Sequence, residues 1–185
     1  MTLTAGTSTT SVVRSDGTTV VQLDVPRNIR ITQAALGTQR TFTVTGWDYY
    51  GQAMSEAITS SVGGTGFGSK AFFQIASIAV SGATTTACSA GTGNRLGIPI
   101  RVTNRGYVIH AGWDDLLADN AGVLTVADST SPATTTTGDV RGYFSPDTDP
   151  DGAKRLVMSI ALTALACGPN ATRLGALGVN QNLAS

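Results

Sequence analysis

The sequence holds one histidine, two cysteines and only 13% charged residues in a length of 185. Each scarcity excludes something. Twelve basic and twelve acidic residues cancel, so there is no net field to draw the chain onto nucleic acid or an anionic membrane surface. No CxxC pair and no Cys/His cluster occurs, which removes the usual zinc ligand sets. The longest apolar run, Leu156 to Cys167, is broken by Ser159 and Thr163 and is too short to span a bilayer. The opening MTLTAGTSTTSVV lacks the cationic start and apolar stretch of a secretory signal, so the expectation is a soluble chain that folds in the cytoplasm. In that compartment Cys88 and Cys167 are expected as small buried thiols rather than a disulfide. Glu, Lys and Leu, the common fillers of helix surfaces, are scarce as well, so helices should be few and short.

What remains is β-forming. Threonine is abundant, glycine stands at 22 residues, and apolar residues recur with period two in 18–25, 28–32 and 40–45. Gly46-Trp47-Asp48-Tyr49-Tyr50-Gly51-Gln52 reads as a hairpin connection with its return strand over 53–59. Beyond the Gly-rich spacer 63–68, further strands are expected over 71–80, through Arg101-Val102, and over 106–110, 123–126, 139–144 and 154–167. Residues 113–120 (WDDLLADN) read as a short helix or irregular excursion, and 128–138 as a polar loop. Strand signals about every ten residues, with turns between them, predict one all-β domain, an antiparallel β-sandwich or jelly-roll. The core is expected over about 18–168. About 1–17 and about 169–185 are read as extended arms, since the first eleven residues contain five threonines and the last sixteen show no clean period.

The candidate chemistry is thin. Gly91-Thr92-Gly93-Asn94-Arg95-Leu96-Gly97 imitates a dinucleotide loop, but its third glycine falls one place late and Ile98-Pro99-Ile100 cannot open the helix such a site needs. The reading is a tight turn, with Gly91, Gly93 or Asn94 at positive φ and Pro99 ending regular pairing. Arg95 is left to point to solvent or to meet an acid on another subunit. Asp147, Asp149, Asp151 and Gly152 copy the first half of a calcium loop, but the position of its bidentate acid holds Met158, so an acidic turn is expected, with a weak surface cation as the other reading. His110 could pair with Asp114 or Asp115 in a hydrolase, yet no nucleophile elbow accompanies it. Trp47, Tyr49, Tyr50 and Trp113 could line a sugar-binding surface, or fill core and brace turns. No catalytic, cofactor-binding or metal residue is assigned.

Five stretches carry a wider likeness: Asp24-Val25-Pro26-Arg27-Asn28-Ile29-Arg30-Ile31, Gly46 through Glu56 (GWDYYGQAMSE), Lys70 through Ile78 (KAFFQIASI), Gly91 through Pro99 (GTGNRLGIP) and Asp139 through Pro146 (DVRGYFSP). Over about residues 18–166 the chain resembles a family of virion structural proteins of tailed bacteriophages. Trp47 departs from the pattern, which has a smaller polar residue there. The resemblance implies a non-enzymatic capsid cement or decoration protein without cofactors. Such a protein is made in the host cytoplasm and placed on the outer capsid surface, where it bridges major capsid proteins and associates with itself as a dimer or trimer. A tail-tube, collar or head-to-tail connector component is the alternative within that class. A carbohydrate- or receptor-binding β module is the alternative outside it.

Overall fold

A computed structural model describes residues 9–35, 37–84, 87–114 and 122–161. They form eleven strands: β1 (Thr9–Val13), β2 (Thr19–Gln33), β3 (Arg40–Trp47), β4 (Ala53–Ser60), β5 (Thr65–Phe67), β6 (Phe72–Val80), β7 (Cys88–Gly97), β8 (Val108–Trp113), β9 (Gly122–Val126), β10 (Gly142–Pro146) and β11 (Leu156–Ile160). One 3-10 turn, Arg105–Tyr107, precedes β8. All pairings are antiparallel. Nine strands make one curled sheet in the order β4-β3-β6-β2-β7-β10-β9, with β1 and β5 also on β2, and β8 and β11 make a second sheet. The fold is all-β, antiparallel and sandwich-like.

Period-two patterning dictates the central strands. In β3 the buried positions are Phe42, Val44 and Gly46, and opposite them in β4 lie Ile58, Glu56 and Met54. The hydroxyl-bearing residues between them occupy the other face. There they pair across strands: Thr41 with Thr59 (3.0 Å), Thr45 with Ser77 (2.7 Å) and, farther along the sheet, Thr32 with Thr65 (2.9 Å). Such cross-strand hydroxyl pairs account for much of the threonine content.

β2 is the spine. It runs unbroken through Pro26, where two separate strands were expected, and it changes neighbours midway. Its first half pairs with β1 on one edge and β6 on the other. Its second half pairs with β7 on the edge β1 has left and with β5 on the edge β6 has left. The register breaks between Gln22 and Arg27, where Pro26 has no N–H to give a ladder. Curling brings β5 back toward β4, close enough that a Cβ on Gly66 would lie 2.5 Å from the Thr59 carbonyl. Leu23, Ile29, Ile31, Phe42, Val44, Phe72, Ile75 and Ile78 fill the hollow as a first core. A second core of Ile98, Val102, Ala111, Leu124 and Phe144 lies with Val108, Trp113, Leu156, Met158 and Ile160 against it, joining the small sheet to β9 and β10.

Several boundaries differ from the sequence reading. Residues 9–13, assigned to an arm, are strand β1, held to β2 by the turn in which Gly17 donates to the Arg14 carbonyl. The Gly-rich spacer contains β5. Arg101-Val102 is not a strand, although Val102 donates to the Arg141 carbonyl (3.1 Å) and accepts from Ala127 (2.8 Å). The last described strand stops at Ile160. Most of the 113–120 excursion, Asp115, Cys167 and the C-terminal arm lie outside the described residues. Cys88 is half-buried against the first core. The polar loop covers the outer edge of β4, where Ala57 donates to the Thr135 carbonyl (2.8 Å), an arrangement that blocks edge-to-edge association.

Candidate functional site

The glycine-rich stretch is not a turn. Gly91 through Gly97 lie inside β7, and none has positive φ. The reason for glycine is close approach. A Cβ on Gly93 would fall 2.2 Å from Asn28 Oδ1, and one on Gly97 would fall 2.5 Å from the Ala71 Cβ. Asn28 is buried on the neighbouring β2, where its Nδ2 donates to the Gly68 carbonyl (3.0 Å) and its Oδ1 accepts from the Arg95 N–H (3.0 Å). Arg95, left open as a contact to another subunit, turns inward: its Nη1 donates to the same Gly68 carbonyl (2.7 Å) and its guanidinium lies 5.1 Å from the Tyr143 ring centre. No backbone cradle for a phosphate exists in an extended strand of this kind. Pro99 does follow the end of regular pairing, and its carbonyl accepts from the Tyr50 hydroxyl (2.7 Å).

The densest polar chemistry is a buried ionic brace between the two cores. Asp48 begins the β3–β4 connection and caps it, its Oδ1 accepting from the N–H groups of Tyr50 (2.9 Å) and Gln52 (2.8 Å). Its Oδ2 accepts from Arg141 Nη1 at 2.6 Å, in a pair whose side chains are 3% and 5% exposed. The Arg141 guanidinium lies 4.7 Å from the Tyr50 ring centre. Two residues earlier, Asp139 accepts from the N–H of Ala71 (2.9 Å) and of Arg141 (2.8 Å). Burial pushes the Asp139 carboxyl above its ordinary range against these hydrogen bonds. Lys70 is wholly buried, and its Nζ donates to the carbonyls of Ser55 and Thr134. Glu56 accepts from the N–H groups of Ser69 and Lys70. Desolvation raises the Glu56 carboxyl to about 7 and lowers the Lys70 ammonium, each opposed by the charge of the other.

The sequence carried one signal for this brace. Met54, Glu56 and Ile58 alternate on the inward face of β4, so the period that predicts the strand also places Glu56 inside. The pairing of Asp48 with Arg141, 93 positions apart, had no signal.

The brace makes stability depend on pH. Folded Glu56 keeps its proton up to about 7, whereas the unfolded chain releases it near its ordinary 4.5. The unfolding free energy therefore falls as pH rises between those values, by about 3 kcal/mol from this group. Asp139, also raised, adds in the same direction. Asp16, Asp24, Asp128 and Asp151 are lowered and act only below the carboxylate range. Urea denaturation at pH 5 and pH 7.5 should show the loss, and Glu56→Gln should shrink the difference. An equal difference in the variant would assign the dependence to other groups.

The other candidates are engaged in structure. Asp147 accepts from Trp113 Nε1 (3.2 Å), Asp149 from Asn94 Nδ2 (2.9 Å), and Asp151 from the N–H groups of Ala153 and Lys154. The three acids of the calcium-like stretch thus face different donors, and among the described residues no three His, Cys, Asp or Glu side chains are placed to hold a metal ion. A groove of about 500 Å³ beside this loop is lined by Asp24, Arg27, Arg30, Phe67 and Asn94 among others, with Arg27 bound bidentately to Asp24 (2.9 and 2.7 Å). Trp47 lies under the Arg14 guanidinium (3.9 Å), and Trp113 belongs to the second core. Tyr49, 56% exposed, stands edge-on to Tyr50 and Phe73. The structure therefore gives the two tryptophans separate structural partners. His110 lies on β8 at the wall of a small cavity, whereas the Asp114 carboxylate accepts from the Arg155 N–H (2.9 Å).

No protein-family model, curated protein or solved structure matches the chain.

Proposed function

We propose that the chain is a non-enzymatic structural protein of a phage virion, a cement or decoration protein. It binds the outer surface of the head and bridges and stabilises major capsid proteins. One observation carries the reading: the five stretches that resemble the virion family converge on internal bracing. Asn28, Asp48 with Glu56, Lys70, Arg95 with the Pro99 carbonyl, and Asp139 with Arg141 each come from one of those stretches. Each bonds to another part of the sheet. The distinctive residues hold a rigid scaffold. The threonine pairs Thr32–Thr65 and Thr41–Thr59, with Thr45–Ser77, keep that side of the sheet polar.

The test is cosedimentation of the purified protein with capsids that lack it. Saturable binding spread over the shell, with heads that withstand heating better, is the expected result. Density confined to one vertex would move the protein to the tail, collar or connector. Heads unchanged by its deletion, together with no binding, would overturn the reading.

A further inference from the structure

Arg30 on β2 and Phe67 on β5 are cross-strand partners, two positions along from the Thr32–Thr65 hydroxyl pair. Alternation therefore sets both side chains on the outer side of the sheet, opposite the buried Ile29 and Ile31. On the other flank of β2 the partner of Arg30 is Gly91. A Cβ there would lie 3.4 Å from Arg30 Nε, so the arginine lies beside a position with no side chain of its own. The result is an open groove of about 500 Å³, a size usual for small-molecule sites.

One wall is the loop that imitates half a calcium site, and it is tied down. Asn94 on β7 donates to Asp149 Oδ1 (2.9 Å), and Asp151 Oδ1 accepts from the N–H groups of Ala153 (2.9 Å) and Lys154 (2.8 Å). These bonds leave the second carboxylate oxygen of each acid able to accept from a guest. Another wall is Arg27 closed on Asp24 through two hydrogen bonds, a pair whose charges cancel. Arg30, by contrast, makes no hydrogen bond or ion pair among the described residues, so its planar fork of N–H donors is open. Phe67 lines the same groove and is 53% exposed.

This chemistry selects against ions and against apolar guests. Three carboxylates and two guanidiniums share the walls, so no field of one sign gathers an anion or holds a cation. One phenyl ring and Pro150 offer too little apolar surface for a lipid-like molecule. What fits is a neutral molecule with many hydroxyls and one flat C–H face. Planar guanidinium, amide and carboxylate groups each engage two adjacent hydroxyls, and an aromatic ring covers the C–H face. A sugar ring has both properties.

We infer that this groove binds a short neutral oligosaccharide, with Phe67 against a sugar ring, Arg30 and Asn94 donating to its hydroxyls, and Asp149 and Asp151 accepting from them. Trp47, Tyr49, Tyr50 and Trp113, the aromatics that the sequence offers for a sugar surface, take no part. The inference does not rest on the shell reading, because it concerns the isolated protein and survives a failure to bind capsids.

The experiment applies the purified full chain to an array of neutral, sialylated and sulfated glycans, then titrates the strongest neutral oligosaccharide by calorimetry. Binding to neutral glycans, unchanged between 0.05 and about 0.5 M salt, is the expected result. Arg30→Ala and Phe67→Ala should each weaken it by about tenfold or more at an unchanged melting temperature, since both side chains are exposed. Tyr49→Ala should leave it unaltered. An array without neutral hits, binding confined to charged glycans and lost in salt, or folded Arg30 and Phe67 variants that bind as well as the parent would each overturn the inference.

Discussion

Asp48→Ala lowers the free energy of unfolding by about 3–5 kcal/mol, the cost of leaving one member of a buried ion pair without its partner. The Asp48 carboxylate holds Arg141 at 2.6 Å and caps the N–H groups of Tyr50 and Gln52. The Arg141 Nε and Nη2 atoms are buried without hydrogen-bond partners, so without Asp48 the guanidinium keeps only the Tyr50 ring and the charge interaction with Asp139 to offset its burial. Adding Arg141→Met to Asp48→Ala should restore part of the loss, because an apolar pair of similar volume avoids the desolvation of two charges. Urea denaturation of the single and double variants measures both. A double variant less stable than Asp48→Ala would show that the cap or the Tyr50 stacking, not the uncompensated charge, dominates.

Gly93→Ala lowers stability by about 1–3 kcal/mol, the usual range for overpacking a tight interior, while Gly91→Ala stays within about 0.5 kcal/mol. Both glycines lie in β7 without positive φ, so backbone freedom does not distinguish them. Their surroundings do. The new methyl at 93 would meet Oδ1, Cγ and Nδ2 of Asn28 at 2.2, 2.7 and 2.7 Å. Asn28 cannot swing away without breaking its bonds to Gly68 and Arg95. The methyl at 91 would meet only the Arg30 side chain, Nε at 3.4 Å and Cγ at 3.8 Å, ordinary contacts. Equal effects at the two positions would contradict close approach as the reason for these glycines.

The contrast marks where sequence reasoning reached its limit. A glycine cluster has two physical uses, positive φ and proximity, and the linear text does not separate them. The turn reading of 91–97 failed because the deciding neighbour, Asn28, is 65 positions away along the chain. Arg95 was misread for the same reason, its acceptor being the carbonyl of Gly68. By contrast, the hairpin over 40–59 was legible. Alternation gave both strands, and turn residues at Asp48 and Gly51 gave the connection.

By itself the sequence determined the class of the fold and its central strands, because a two-residue period and a shortage of helix formers act locally. Its period also contained the signal for Glu56, which the structure shows buried on the inward face beside Met54 and Ile58. Only the tertiary structure decided which polar residues meet. Asp48 with Arg141, Lys70 with Thr134, and Asn28 with Gly68 join segments that are distant along the chain. Such pairs exist only once β2 has bent past Pro26 and the sheet has curled, since it is that curvature that carries distant polar groups out of water and into reach of one another.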